Sequence, residues 1–162
     1  MGEMIKVGMA DWKLCLGDDT ITTLGLGSCV GVAVRDPGSG VGGLAHVMLP
    51  DSTETTNNSN RMKFADTAIT DMIAEMVKKG ANKSRLVAKL AGGAQMFTFG
   101  SSKNDMMRVG DRNVAACEKK LKELGIKVLT KDTGENYGRT VIFTPATGDY
   151  VIRSVGKPEK TI

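Results

Sequence analysis

Residues 29–49, C-V-G-V-A-V-R-D-P-G-S-G-V-G-G-L-A-H-V-M-L, decide how this chain folds. Cys29 to Arg35 is a short β-branched run, Asp36-Pro37-Gly38-Ser39-Gly40 carries dense turn chemistry, and Val41 to Leu49 is apolar again. Two such runs around a Gly/Pro/Asp cluster predict a β-hairpin. With the reversal centred near Pro37 or Gly38, Cys29 is expected opposite His46, the only histidine in the chain. Directly opposed residues in an antiparallel pair hold their Cβ atoms about 4.5–5.5 Å apart, so a thiol and an imidazole could meet there. A slip of one residue in register breaks that pairing.

A thiol beside an imidazole is the nucleophile and base of a cysteine hydrolase. The thiolate attacks, and the ring later protonates the leaving group. Gly25, Gly27, Gly31, Gly42 and Gly43 flank the pair. They would let a substrate amide approach closely and let main-chain N–H groups face an oxyanion. The same residues also fit a plain packing role, because a buried cysteine often serves as a small hydrophobe and a lone histidine as a satisfied interior group. One cysteine and one histidine are by themselves an unspecific pair.

The rest of the chain narrows the setting. Its 162 residues, 41% of them hydrophobic, are enough for one domain with a real core. Only 4% are aromatic, so that core must be built from aliphatics and ten methionines. No stretch approaches the ~18 apolar residues of a membrane span, and the start MGEMIKVGMADWK lacks a signal peptide's apolar segment. A cytoplasmic protein without membrane insertion is expected. Cys15, Cys29 and Cys117 are odd in number and irregularly spaced, which suits free thiols in a reducing compartment better than a disulfide framework. Their spacing contains no metal-binding knuckle, so no metal is expected. The net charge of +4 is spread among acidic residues, with no basic aromatic platform for nucleic acid. Neither glycine-rich segment matches a phosphate-cradling motif, and no cofactor is expected.

Residues 51–60 read as a polar loop ending in N-cap residues. Met62, Ala65, Ile69, Met72, Ile73 and Met76 follow helical spacing, predicting an amphipathic helix over 61–79 closed by Gly80. Residues 84–91 predict a strand entering the Gly92-Gly93 turn, and 97–110 a long loop near the site or a partner surface. Val114, Cys117, Leu121 and Leu124 mark a second helix over 111–124, which gives Cys117 a packing role. Residues 126–131, 139–144 and 150–155 read as strands. A single domain over 1–156 is expected, with 157–162 as a mobile tail. Strands clustered around two helices argue an α+β fold.

The stretches T-L-G-L-G-S-C-V at 23–30, A-H-V-M-L-P at 45–50 and A-G-G-A-x-M-F at 91–97 together resemble the CheD family, the chemoreceptor glutamine deamidases of chemotaxis systems. Further similarity runs through R-M-K-F-A-D-T-A at 61–68, V-G-x-R-N-V at 109–114, L-x-x-x-G-I-K at 121–127 and D-T-G-x-N at 132–136. The resemblance implies Cys29 as nucleophile, His46 as acid and base, and Thr23 as the group that orients the histidine. It implies layered β-sheets with flanking helices, similar to the deamidase domain of cytotoxic necrotizing factor toxins. It also implies hydrolysis of receptor glutamines to glutamate through a thioester on Cys29, and partnership with methyl-accepting receptors and a CheC-type phosphatase. Main-chain groups around Gly27, Ser28 and Cys29 are the expected oxyanion donors. A regulatory binding module with little deamidase activity is a second reading of the same residues, and a cysteine peptidase or acyltransferase a third.

Overall fold

The computed structural model describes residues 2–95 and 109–162 as an α+β arrangement of two five-stranded sheets and two helices. The first sheet contains β1 (Met4–Val7), β3 (Thr20–Leu26), β8 (Arg139–Thr144), β9 (Asp149–Arg153) and β10 (Lys160–Thr161), in that order. The second has the order β2 (Asp11–Cys15), β5 (Gly42–Val47), β4 (Val30–Arg35), β6 (Val87–Gly92) and β7 (Lys127–Thr133). Helices α1 (Ala65–Lys78) and α2 (Val109–Glu123) cover the outer face of this second sheet.

The central strands of the second sheet are therefore buried on both faces, which is why they read as unbroken apolar runs and not as an alternation. Side-chain parity separates the two layers. Val30, Val32, Val34, Ala45 and Val47 pack against Ile69, Met72 and Met76 of α1 and Val114, Cys117 and Leu121 of α2. Cys29, Ala33 and Leu44 point the other way, into the layer between the sheets, with Ile21, Leu26, Val141, Phe143 and Tyr150. Phe143 and Tyr150 meet edge to face at 5.7 Å, and the Tyr150 hydroxyl donates across the layer to the Gly31 carbonyl at 2.9 Å.

The expected hairpin is present, with a corrected register. Gly31, not Cys29, lies opposite His46, and the pairing continues from Val30↔Val47 to Arg35↔Gly42. Asp36 sets this closure: its backbone N–H donates to Val41, while its fully buried carboxylate accepts from Gly38 N–H and from both Nε and Nη2 of Arg85. The side-chain turn at Asp36 draws the reversal past Gly38 toward Gly40, which has the positive φ of 77° that closes the loop. The pairing differs from expectation by two residues, which keeps every side chain on its expected face.

Other boundaries shift for local reasons. The helix predicted over 61–79 is split, because Phe64 is extended and fully buried and makes a bridge to Leu49; a 3-10 turn at Arg61–Lys63, capped by Asn60, precedes it. The strand predicted from 84 begins at Val87, since Asn82 caps a 3-10 turn over Lys83–Arg85. The segment expected as a mobile tail is held against the core. Lys160 and Thr161 pair with β9, and the Ile162 N–H donates to the Tyr150 carbonyl. The Lys89 ammonium donates to the Ile162 carbonyl. The loop expected at 97–110 lies almost wholly outside the described residues.

Candidate active site

Thr23, Cys29 and His46 come from three successive pieces of chain that meet where it crosses from one sheet to the other. Thr23 lies on β3 just before a register irregularity opened at Gly25, whose φ is 70°. Such bulges re-aim nearby side chains. Cys29 closes the loop Gly27–Cys29 that carries the chain across to β4, and His46 lies on β5. Because Gly31 faces His46 and Cys29 stands two residues from Gly31, just outside the ladder, the thiol and the imidazole belong to the same inner face of the sheet.

Hydrogen bonding fixes the histidine's chemistry. The Thr23 hydroxyl donates its one proton to the Val7 carbonyl at 2.8 Å and lies 2.7 Å from His46 Nδ1. With that proton committed to Val7, the hydroxyl oxygen can only accept, so Nδ1 carries the ring proton and Nε2 is left as a bare base. Among the described residues Nε2 has no hydrogen-bond partner, the Cys29 thiol included. Loose catalytic contacts of this kind are common before substrate binds.

Both groups rest neutral. Burial lowers the His46 pKa below its ordinary value, because the imidazolium would lose its hydration. Burial likewise raises that of Cys29, opposed in part by the cysteine's own backbone N–H, which faces the sulfur. Cys29 is 7% exposed and His46 fully buried, so both groups stand where water is largely excluded. The other two cysteines are buried with their thiols pushed up, Cys15 to about 12, and neither has a histidine beside it.

The Gly27–Cys29 loop is fastened through its carbonyls. Gly93 N–H donates to the Cys29 carbonyl and Ala94 N–H to the Gly27 carbonyl, both at 2.8 Å. Gly92 has a φ of 109°, and a Cβ there would overlap the Cys29 carbonyl oxygen, so only glycine fits. Behind this turn the fully buried Arg139 donates to the Gly92 and Gly134 carbonyls and pairs with Asp132 at 3.0 Å. These bonds take up the carbonyls of the loop and leave the N–H groups of Ser28 and Cys29 without a backbone acceptor among the described residues.

Sequence reasoning missed several of these groups. The Val7 carbonyl has no side-chain signature at all. Asn113 had one: it lies on the apolar stripe of α2 with Val114, Cys117 and Leu121, where a polar residue calls for a reason. It is fully buried, and its side-chain amide donates to the carbonyls of Ser28 and Met48, each at 2.9 Å.

Comparison with known proteins places this geometry. The family model described as CheD chemotactic sensory transduction matches residues 48–154, a span that begins just past the three candidate residues. Whole-chain relatives cover those residues as well. A protein of Lachnoclostridium phytofermentans named "probable chemoreceptor glutamine deamidase CheD" is 59% identical over the full length of both chains. One of Moorella thermoacetica with the same name is 50% identical over 98% of this chain and 95% of its own. The "chemoreceptor glutamine deamidase CheD" of Halalkalibacterium halodurans is 49% identical over the full length of both. Among solved structures, the hypothetical protein YfiH of Bacillus licheniformis covers 67% of this chain and 46% of its own at 14% identity, with a TM-score of 0.39, too weak a likeness to argue from.

Proposed function

The chain belongs to the CheD family, and we propose that it hydrolyses the side-chain amide of chemoreceptor glutamines to glutamate and ammonia, with Cys29 as nucleophile, His46 as proton carrier and Thr23 as the group that orients it. The observation that carries this reading is the hydroxyl of Thr23 held between Val7 and His46, which leaves Nε2 bare on the face where Cys29 stands.

In the first step Nε2 takes the thiol proton as the sulfur attacks the glutamine carboxamide carbon. The carbonyl π electrons move onto oxygen, where the N–H groups of the Gly27–Cys29 loop stand as donors, Ser28 and Cys29 foremost. Collapse of this intermediate expels ammonia, which carries away the proton from Nε2, and leaves a thioester on Cys29. Water then gives a proton to Nε2 and attacks the thioester. Collapse breaks the C–S bond, the proton on Nε2 returns to sulfur, and the glutamic acid released gives up its remaining proton to solvent. No cofactor takes part in these steps.

The wider setting belongs to the same proposal. The two sheets, β10 included, and their outer helices act as one catalytic unit, layered in the way found in cytotoxic necrotizing factor deamidases. It works in the cytoplasm on methyl-accepting receptors and partners a CheC-type phosphatase. Each modified glutamine adds a negative charge to the receptor and makes a methyl-accepting side chain. Mass spectrometry of a chemoreceptor cytoplasmic fragment incubated with the wild-type protein and with Cys29→Ala tests the reading. Conversion by the wild type alone is expected. Its absence with folded wild-type protein would overturn the enzymatic reading and leave the regulatory binding role in its place, and cleaved peptide bonds would point to a peptidase.

A further inference from the structure

Asn113 is built into the site in a way its helix does not require. It lies on α2, yet both hydrogens of its side-chain amide are spent on the two segments that carry the reacting groups. One goes to the carbonyl of Ser28, the residue before the nucleophile. The other goes to the carbonyl of Met48, two residues past His46. Both partners are acceptors, so only the NH2 end of the amide can make these bonds and its orientation is fixed. Its oxygen is buried and has no partner among the described residues. An orphaned acceptor is unfavourable, so the amide is kept for its two donors.

The spacing it controls is the one the chemistry needs. The hairpin register leaves Cys29 diagonal to His46 and outside the strand ladder, so the β4–β5 pairing ends at Val30↔Val47 without fixing where the sulfur stands. Beyond that pair no ladder bond joins the two segments, and the Asn113 amide links them by donating to the carbonyls of both Ser28 and Met48. Its own position is fixed by close packing: Gly110, one turn earlier on α2, lies so near the Gly93 and Ala94 carbonyls that a Cβ would collide with them.

We infer that Asn113 is a positioning residue that sets the distance between the Cys29 thiol and the His46 imidazole by joining the two segments that bear them. The inference rests on the proposed roles of Cys29 and His46. It also makes a claim that does not depend on turnover. Without the two bonds the nucleophile loop loosens and water enters, and the burial that raises the thiol's pKa is relieved.

The test uses the full chain with Asn113→Ala, which removes both donors and leaves space, and Asn113→Asp, which keeps the shape and removes the donors. Iodoacetamide labelling of Cys29 is followed by mass spectrometry across pH, and receptor-fragment deamidation is measured in parallel. The labelling midpoint is expected to move down by about one unit in variants that retain the native circular dichroism spectrum, with kcat falling about tenfold or more and KM changing less than about twofold. A labelling profile and kcat matching the wild type in the folded variants would overturn the inference. So would activity lost only in proportion to unfolded protein, or failure of both variants to fold, since the residue would then serve the fold alone. Should the wild type itself not deamidate, the labelling profile still decides the role of Asn113 while the enzymatic reading fails separately.

Discussion

The two faces of the β4–β5 hairpin are built from the same backbone and do opposite work. Toward the helices stand Val30, Val32, Val34, Ala45 and Val47, all fully buried and closely packed. Toward the other sheet stand Cys29, Gly31, Ala33, Leu44 and His46, which bring the candidate thiol and imidazole to one face. The outer face gains stability from filled volume. The inner face near Cys29 carries no side chain at Gly31, where the Tyr150 hydroxyl takes the space a Cβ would fill, and places polar groups where water is largely excluded. Cys117 on the outer layer and Cys29 on the inner are both buried thiols with raised pKa values, and only the second has a base on its face. Burial by itself thus does not make a reactive cysteine.

That contrast breaks most sharply at Cys29, the proposed nucleophile. Cys29→Ala removes only the sulfur, so turnover of a receptor fragment should fall by about 10⁴-fold or more while the melting temperature stays within a few degrees, as scanning calorimetry would show. If turnover survives, the inner face is not the reactive one.

The outer face should respond in the reverse sense. Met72→Ala leaves a cavity in the layer between α1 and the sheet, and chemical denaturation should show a loss of about 2–5 kcal/mol with kcat per folded molecule preserved. An equal loss of kcat in fully folded protein would mean that the two layers are not separable.

Thr23→Val sharpens the inner side. It removes the hydroxyl that holds Nδ1 and should lower kcat about 10- to 100-fold. Thr23→Ser, which keeps the hydroxyl, should recover most of the activity. Equal rates for the valine and serine variants would remove Thr23 from the mechanism.

The smallest effect is on stability against pH. His46 has its pKa lowered by folding, so below its ordinary value the unfolded chain takes up a proton that the folded chain refuses. Stability is therefore full above about pH 6.5 and declines as pH falls toward the folded pKa. Cys29 and Cys15 have raised values, so stability declines again as pH rises above about 9 and the unfolded thiols ionise. Denaturation midpoints across pH should show both slopes in the wild type, and the acid slope should shrink in His46→Gln.

Much of this was legible in the residues. The turn cluster at 36–40 announced the hairpin, the spacing of Ile69, Met72 and Met76 announced α1, and the stripe of Val114, Cys117 and Leu121 announced α2. Those patterns record which face of each element is buried, and burial acts on each residue locally. The split at Phe64 was not legible, because its extended backbone answers to a bridge with Leu49 and not to its neighbours' helical spacing. The fixing of residues 157–162 was also hidden, since its polar composition resembles a tail and its partners, β9 and Lys89, are remote in sequence.

The sequence by itself determined the α+β class and the parity of the hairpin, because side-chain type and period carry that information. Tertiary structure alone decided the register that sets Gly31 opposite His46 and the nitrogen of the ring that is bare. It also decided the fastening of the nucleophile loop by Asn113 and Arg139. The reason is that backbone carbonyls such as Val7, Ser28 and Met48 are the same chemical group in every residue. Which donor reaches each of them is fixed by packing between segments far apart along the chain, and no residue letter records it.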